Sequence, residues 1–203
     1  MPIFVAFNMA ILKQFSGTNA VTVYAGNVAE TIVSGQLLLL VPSIVNFAAF
    51  VGGFSSGFVL SYLGRKTGGQ IGTFIEAISN ILAGIAVYIA SEARTTEITL
   101  LIIGLFVNRM AYGAFIGPVT WLYMPEIVEP WLSPFTTAMN WFTGSLVVIL
   151  FPILAALGNP GPIFIFFAAY CFLSFLFNQF FMVETKGKTQ LEIKQKYKEL
   201  SCC

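Results

Sequence analysis

An all-α, polytopic membrane protein of six transmembrane helices, arranged as two inverted three-helix repeats, is the fold class this sequence predicts. Three observations predict it. The 203 residues are 57% hydrophobic and only 9% charged, which leaves too little polar surface to cover a soluble globule. Six apolar segments are readable, each at or above the roughly 20 residues that cross about 30 Å of hydrocarbon. Helix-breaking sequences fall at corresponding places in the first and fourth segments, Ser16-Gly17-Thr18 and Gly117-Pro118, as two repeats of opposite topology would have them.

The segments run near Pro2–Val28, Gly35–Leu63, Gly69–Ala90, Thr99–Met124, Phe135–Leu157 and Pro162–Val183. The first is too long for the apolar core of a cleavable signal and has no small-residue cleavage site at its end, so insertion is expected from the spans themselves. The fourth carries Gly117-Pro118-Val119-Thr120-Trp121 and then Pro125-Glu126-Ile127, two breakers, an indole and an acid within a lipid-length stretch. In hydrocarbon every backbone donor and acceptor must be satisfied within the protein, so such a helix is expected to line a cavity or a binding site. Residues 1–184 form the expected membrane domain. Residues 185–203 form a charged tail, helical over 186–200, in which Glu192 and Glu199 interrupt the lysine run and favour a topogenic role over a lipid switch.

Basic residues set the expected orientation. Arg65, Lys66, Lys186, Lys188, Lys194, Lys196 and Lys198 gather on one side and only Arg94 on the other, which puts both termini on the cytoplasmic or equivalent side of a plasma or organelle membrane. Cys171, inside the last segment, is expected to pack as a small apolar residue. Cys202 and Cys203 read as a disordered end or as a paired S-acylation site. The chain has no His and no Asp, which removes His-based metal sites, nucleophilic triads and histidine relays. No enzyme activity, metal, cofactor or nucleic-acid partner is expected; the lipid bilayer is.

Around the breaks lie the amides Gln14, Asn19 and Asn46, with Asn140 on the fifth segment. Amides donate and accept at once, matching the hydroxyls of a neutral polyhydroxy solute without the desolvation cost of a charge. Each could equally tie two helices together, the common fate of an isolated membrane amide. Trp121 could pack a sugar ring against its face or serve as an interfacial anchor.

These residues resemble the sugar porters of the major facilitator superfamily, and specifically their C-terminal six helices, over nearly the whole chain. Gln14-Phe15-Ser16-Gly17-Thr18-Asn19 is similar to the family's Q-x-S-G-x-N, Asn46 falls at an amide of the next helix, and Gly64-Arg65-Lys66 resembles its loop G-R-R/K. Gly117-Pro118-Val119-Thr120-Trp121 resembles G-P-x-x-W, Glu126-Ile127 the E-I pair, and Glu184-Thr185-Lys186-Gly187-Lys188 the closing P-E-T-K-G. The resemblance implies monosaccharide recognition by Gln14, Asn19, Asn46 and Trp121, with alternating access as the mechanism; Asn140 joins them as a candidate solute contact on its amide chemistry alone. It also implies gating at Gly17, Gly117 and Pro118, with Arg65 and Glu126 as a latch made in one state only.

Departures from the pattern are several. Lys13 replaces a glutamine, and a midplane lysine costs about 2.5–3.5 kcal/mol unless it finds a partner. Arg109 is a second such cation, with Glu76 the acid in view, and the two cations admit an anionic solute as a variant. Gly113 and Gly144 stand where relatives carry an acid and an amide, Ser61 and Ser133 replace latch partners, and the stretch from Glu126 to Trp141 is about one helical turn short. Sugar porters have twelve helices, so the expected partner is a second six-helix half or other membrane subunits. Two functions follow: transport of a hexose-like sugar as the C-terminal half of a porter, or a transport-inactive half kept as an accessory subunit of a larger membrane complex.

Overall fold

A computed structural model describes residues 1–30, 33, 35–89 and 95–201. Arg94, Ala90, Cys202 and Cys203, on which the far-side charge, the end of the third segment and the terminal thiols depend, lie outside the described residues.

The first apolar segment forms two short helices, α1 (Pro2–Gln14) and α2 (Thr18–Ala29). Neither alone spans a bilayer; together, with the break between them, they do. The end of α1 tightens into two i→i+3 bonds, Ser16 N–H to Lys13 O and Gly17 N–H to Gln14 O, both 3.3 Å. Gly17 then turns left-handed, with φ 81°, and α2 starts from its carbonyl through the 2.9 Å bond from Val21 N–H. A Cβ at Gly17 would stand 2.2 Å from the Phe167 ring. Only glycine meets both the backbone and the space requirement here.

Four long helical spans complete the membrane part: α3 (Gln36–Leu63), α4 (Arg65–Ile89), α7 (Ser133–Ala156) and α8 (Gly161–Phe181), besides the fourth segment. Five helices among the described residues are thus long and apolar enough to cross a membrane. The fourth segment differs from the sequence expectation. It is not broken at Gly117-Pro118 but runs from Thr95 to Ile127 as α5 (Thr95–Ala111), a π-helical turn (Tyr112–Ile116) and α6 (Gly117–Ile127). Pro118 has no N–H and its ring would strike the carbonyl four residues back. Widening the preceding turn, so that Gly117 N–H reaches Tyr112 O, accommodates the ring without ending the helix.

Packing follows the two-repeat plan. α4 lies along α8 at the centre; α3 packs on α5 and the π turn as α7 packs on α1 and α2. Glycines allow the closest approaches, since a Cβ on Gly84 of α4 would lie 3.1 Å from Gly161 O of α8, and one on Gly161 2.9 Å from Gly84 O. Gly113 serves the same end, with Ala49 O of α3 2.7 Å from its imagined Cβ, so a side chain has no room there in this packing.

Two apolar cores result. One joins Val21, Val28, Val45, Leu101, Leu105, Phe151, Phe164 and Phe167; the other joins Val5, Met9, Leu60, Val119, Tyr123, Ile127 and Met182. Between them lies a buried polar layer of Lys13, Gln14, Ser16, Thr18, Glu76, Asn80, Asn108, Arg109 and Asn140, level with the break in the first span. The tail helix α9 (Gln190–Ser201) joins the second core by burying Ile193 and Tyr197. Thr189 and Glu192 start α9 with a reciprocal capping box: Thr189 N–H donates to Glu192 Oε2 at 2.7 Å, and Glu192 N–H to Thr189 Oγ1 at 3.4 Å.

Gly17→Ala forces a left-handed Cβ into Phe167, a combination that costs about 2–4 kcal/mol from backbone strain and overpacking together. Thermal unfolding in detergent is expected at a clearly lower temperature than for the parent chain, and an unchanged melting curve would show that the break relaxes freely.

Candidate functional site

Three of the five expected solute-facing residues come together in one hydrogen-bonded chain. Gln14, the last residue of α1, donates from Nε2 to Asn140 Oδ1 of α7 at 2.8 Å, and accepts at Oε1 from Asn19 Nδ2 of α2 at 2.6 Å. The break at Gly17 makes this possible: it turns α2 so that Asn19 faces back to Gln14 while Asn140 approaches from the facing helix. Gly144, one turn beyond Asn140, leaves the space for it, since a Cβ there would stand 3.0 Å from both Asn19 Nδ2 and Gln14 Oε1.

Asn46 lies outside this chain. It sits on an exposed face of α3 with Ser43, Phe50, Gly53, Gly57 and Ser61. Trp121 is also apart: it is 40% exposed and its ring lies 6.1 Å from that of Trp141, the neighbour of Asn140. The Trp121 ring also receives Lys13, whose Nζ sits 4.6 Å from its centre and 5.5 Å from that of Tyr112. Two aromatic faces therefore hold the midplane lysine, which is only 5% exposed. Arg109 finds the same Tyr112 ring at 5.3 Å, while its Nε has no hydrogen-bond partner among the described residues.

Behind the amide chain α4 holds the break itself. Glu76 Oε1 accepts from Thr18 Oγ1 at 2.9 Å, Thr18 Oγ1 lies 3.0 Å from Ser16 Oγ, and Asn80 Nδ2 donates to Ser16 O at 3.0 Å. Asn108 Nδ2 of α5 reaches Asn80 Oδ1 at 3.3 Å. Sequence reading placed Glu76 only as an acid in view of Arg109. Its position mid-way along an apolar span was the available signal that it meets buried donors.

At the end that carries α9 the expected latch residues meet. Arg65 Nη2 lies 2.9 Å from Glu126 Oε1, and Thr185 Oγ1 donates to Glu126 Oε2 at 2.6 Å. Gly64, at φ 82°, turns the chain from α3 directly into α4, and Glu184 covers that turn. Glu184 accepts from the first two N–H groups of α4, Arg65 at 2.9 Å and Lys66 at 3.0 Å, an acid at a helix N-terminus that the sequence motif did not reveal. Partial burial alone would raise the Glu184 carboxyl. The backbone N–H groups of Lys186, Arg65, Lys66 and Thr185 outweigh it and hold the group below the usual carboxylate range.

A cavity of about 420 Å³ adjoins the pair, lined by Arg65, Trp121, Glu126, Thr185 and Lys188 among others. An apolar cavity of about 560 Å³ lies between the start of α1 and α9, away from the amides. Among the described residues no cluster of His, Cys, Asp or Glu has the makings of a metal site.

The arrangement is that of a polytopic helical membrane protein, and comparison with known proteins gives its family. Residues 1–197 match the family described as "Sugar (and other) transporter", to which the chain belongs. It is 29% identical over 205 residues to the facilitated trehalose transporter Tret1 of Polypedilum vanderplanki, covering 96% of this chain and 40% of that protein. It is 28% identical over 184 residues to hexose transporter 1 of Plasmodium yoelii yoelii, covering 86% and 35%. The fold superposes on the proton:xylose symporter XylE bound to 6-bromo-6-deoxy-D-glucose with a TM-score of 0.83 at 25% identity, over 96% of this chain and 42% of that one. The chain thus spans about two-fifths of the length of these relatives. Members of the family are membrane transporters and not enzymes.

Because the Glu184 carboxyl is held low, its stabilisation is complete above the ordinary carboxylate range and is lost as pH falls through the lowered value. Acidification is expected to lower the protection of the Arg65 and Lys66 amides relative to their intrinsic exchange rate at each pH. Glu184→Gln is expected to show low protection at both neutral and acid pH, whereas equal protection in the two proteins would remove the carboxylate as the cap.

Proposed function

We propose that this chain forms one wall of a carrier for hexose-like sugars, the half equivalent to the C-terminal six helices of a sugar porter. The observation that carries the reading is the Gln14–Asn140–Asn19 chain at the break between α1 and α2. It presents amide donors and acceptors from three helices at one level of the membrane, the complement of a polyhydroxylated ring. The names of the relatives, carriers of trehalose, hexose and xylose, support a sugar as the solute.

Asn46 fits as a further solute contact, from a different wall of the same cavity. α3 and α7 are the least buried of the spans. An exposed amide beside Ser43, Gly53 and Gly57 is costly against lipid but favourable against an aqueous cavity closed by a second six-helix half. Trp121 and the 420 Å³ cavity beside it place an aromatic wall next to Arg65 and Glu126. We assign the α9 end to the cytoplasmic side, on the excess of lysine and arginine there.

Movement would use the left-handed Gly17 and the π turn before Gly117 and Pro118, two places where backbone hydrogen bonding is already non-α. The Arg65–Glu126 pair is the closed state of the α9 end. Partly exposed, it contributes little to stability on its own; its use lies in being made in one state and lost in the other. The accessory reading draws on the same amide chain: the three amides bond one another, as amides do when they only tie helices together.

Uptake of labelled hexose by the purified native assembly in proteoliposomes separates the two. Gln14→Ala and Trp121→Ala are each expected to weaken apparent sugar affinity by about tenfold, the worth of one or two lost hydrogen bonds or a stacking face. Absence of uptake by the parent assembly for every sugar tried would sink the transport reading and favour the accessory one.

A further inference from the structure

Glu76 takes no part in the amide chain or the end pair, yet it is completely enclosed. Every neighbouring element presents a group to it. α1 brings Lys13, the break brings Ser16 and Thr18, α5 brings Arg109, the π turn brings Tyr112 and α8 brings Cys171, whose Sγ is 3.8 Å from Oε2. Ser16 and Thr18 do not titrate, so the charged state of the cluster lies with one carboxyl, two cations, a phenol and a thiol. Thr18 is the first residue of α2, so the carboxylate also faces the positive end of that helix.

A polar line leads to this group from the α9 end. Gly69, Thr73 and Glu76 follow one another at helical spacing along one face of α4. Opposite Gly69 and Thr73 lies a cavity of about 20 Å³, lined by Lys13, Thr120, Ser174 and Asn178 besides them. That volume admits about one water molecule with several polar partners.

We propose that Glu76 is a proton-binding site that governs the break in the first span. With the carboxylate ionised, its charge-assisted bond holds Thr18 against α4, and Lys13 and Arg109 are attracted to the same point. A proton taken from water at the α9 end passes the Lys13 cavity and forms one O–H bond at Glu76; nothing is oxidised or reduced. The neutral carboxyl holds Thr18 more weakly and releases the two cations. This places a proton site within this half, apart from any coupling acid that a partner half supplies. The link from the break to solute movement rests on the transport reading above, while proton binding does not.

Infrared difference spectra of the full chain in lipid vesicles, taken between acid and alkaline buffer, test the first part. A carboxylic acid C=O band is expected that disappears in alkali, is missing in Glu76→Gln, and persists to more alkaline buffer in Lys13→Gln, where the carboxylate has lost a neighbouring cation. A spectrum indifferent to both substitutions overturns the proposal. Hydrogen exchange at residues 15–20, expressed as protection relative to the intrinsic amide rate at each pH, tests the second part: protection is expected to be about tenfold lower in acid for the parent chain, and low at both pH values for Glu76→Gln. Protection that ignores pH in the parent chain overturns control of the break. Failure of the parent assembly to carry any sugar would sink the transport reading and leave the band and the exchange result standing.

Discussion

The rest of the structure depends on satisfying the polar groups exposed where the first span breaks. Ser16 O and the side chains of Ser16 and Thr18 have no helical partners of their own at that depth, and lipid offers none. Asn80 and Glu76 of α4 supply them from one side; Gln14, Asn19 and Asn140 close the other with bonds among themselves. The break therefore requires α4 behind it and α7 before it. The close α4–α8 packing holds α4 in place, and the glycine at 144 lets α7 come near enough.

This requirement also explains the layered interior. Two apolar cores could have merged into one were it not for the polar belt between them, which contains both midplane cations and the buried acid. Lys13 and Arg109 are tolerated because Tyr112 and Trp121 offer aromatic faces and Glu76 a countercharge. The π turn serves the same belt, since it begins at Tyr112 and so sets where that ring falls. The α9 end is held by different means, a partly exposed ion pair, a capped helix start and a tail helix docked through Ile193 and Tyr197.

Much of this was legible in the chain. The apolar segments, the glycine break at 17 and the amides follow from composition and spacing, and the Arg65–Glu126 pairing from the family resemblance carried by short motifs. Three features were not. Gly117-Pro118 reads as a break, yet whether a proline ends a helix or is absorbed by a wider turn depends on what packs around it, here α3 against Gly113. Asn46 reads as a companion of Gln14 and Asn19, but its helix turns it to an open face. The tail reads as a charged extension, and only the apolar surface waiting beneath Ile193 and Tyr197 makes it part of a core.

By itself the sequence determined that this protein lives in a membrane, how many times its chain runs apolar, which family it joins and that its first span breaks at Gly17. Each of these depends on residues close together in the chain or on their totals. Only the tertiary structure decided that Gln14 bonds Asn140 from 126 residues away, that Glu76 anchors Thr18 across 58, and that Lys13 rests on Trp121. Such contacts bring together side chains from separate helices. Helix rotation and separation are set by glycine contacts and core packing, which no local pattern encodes.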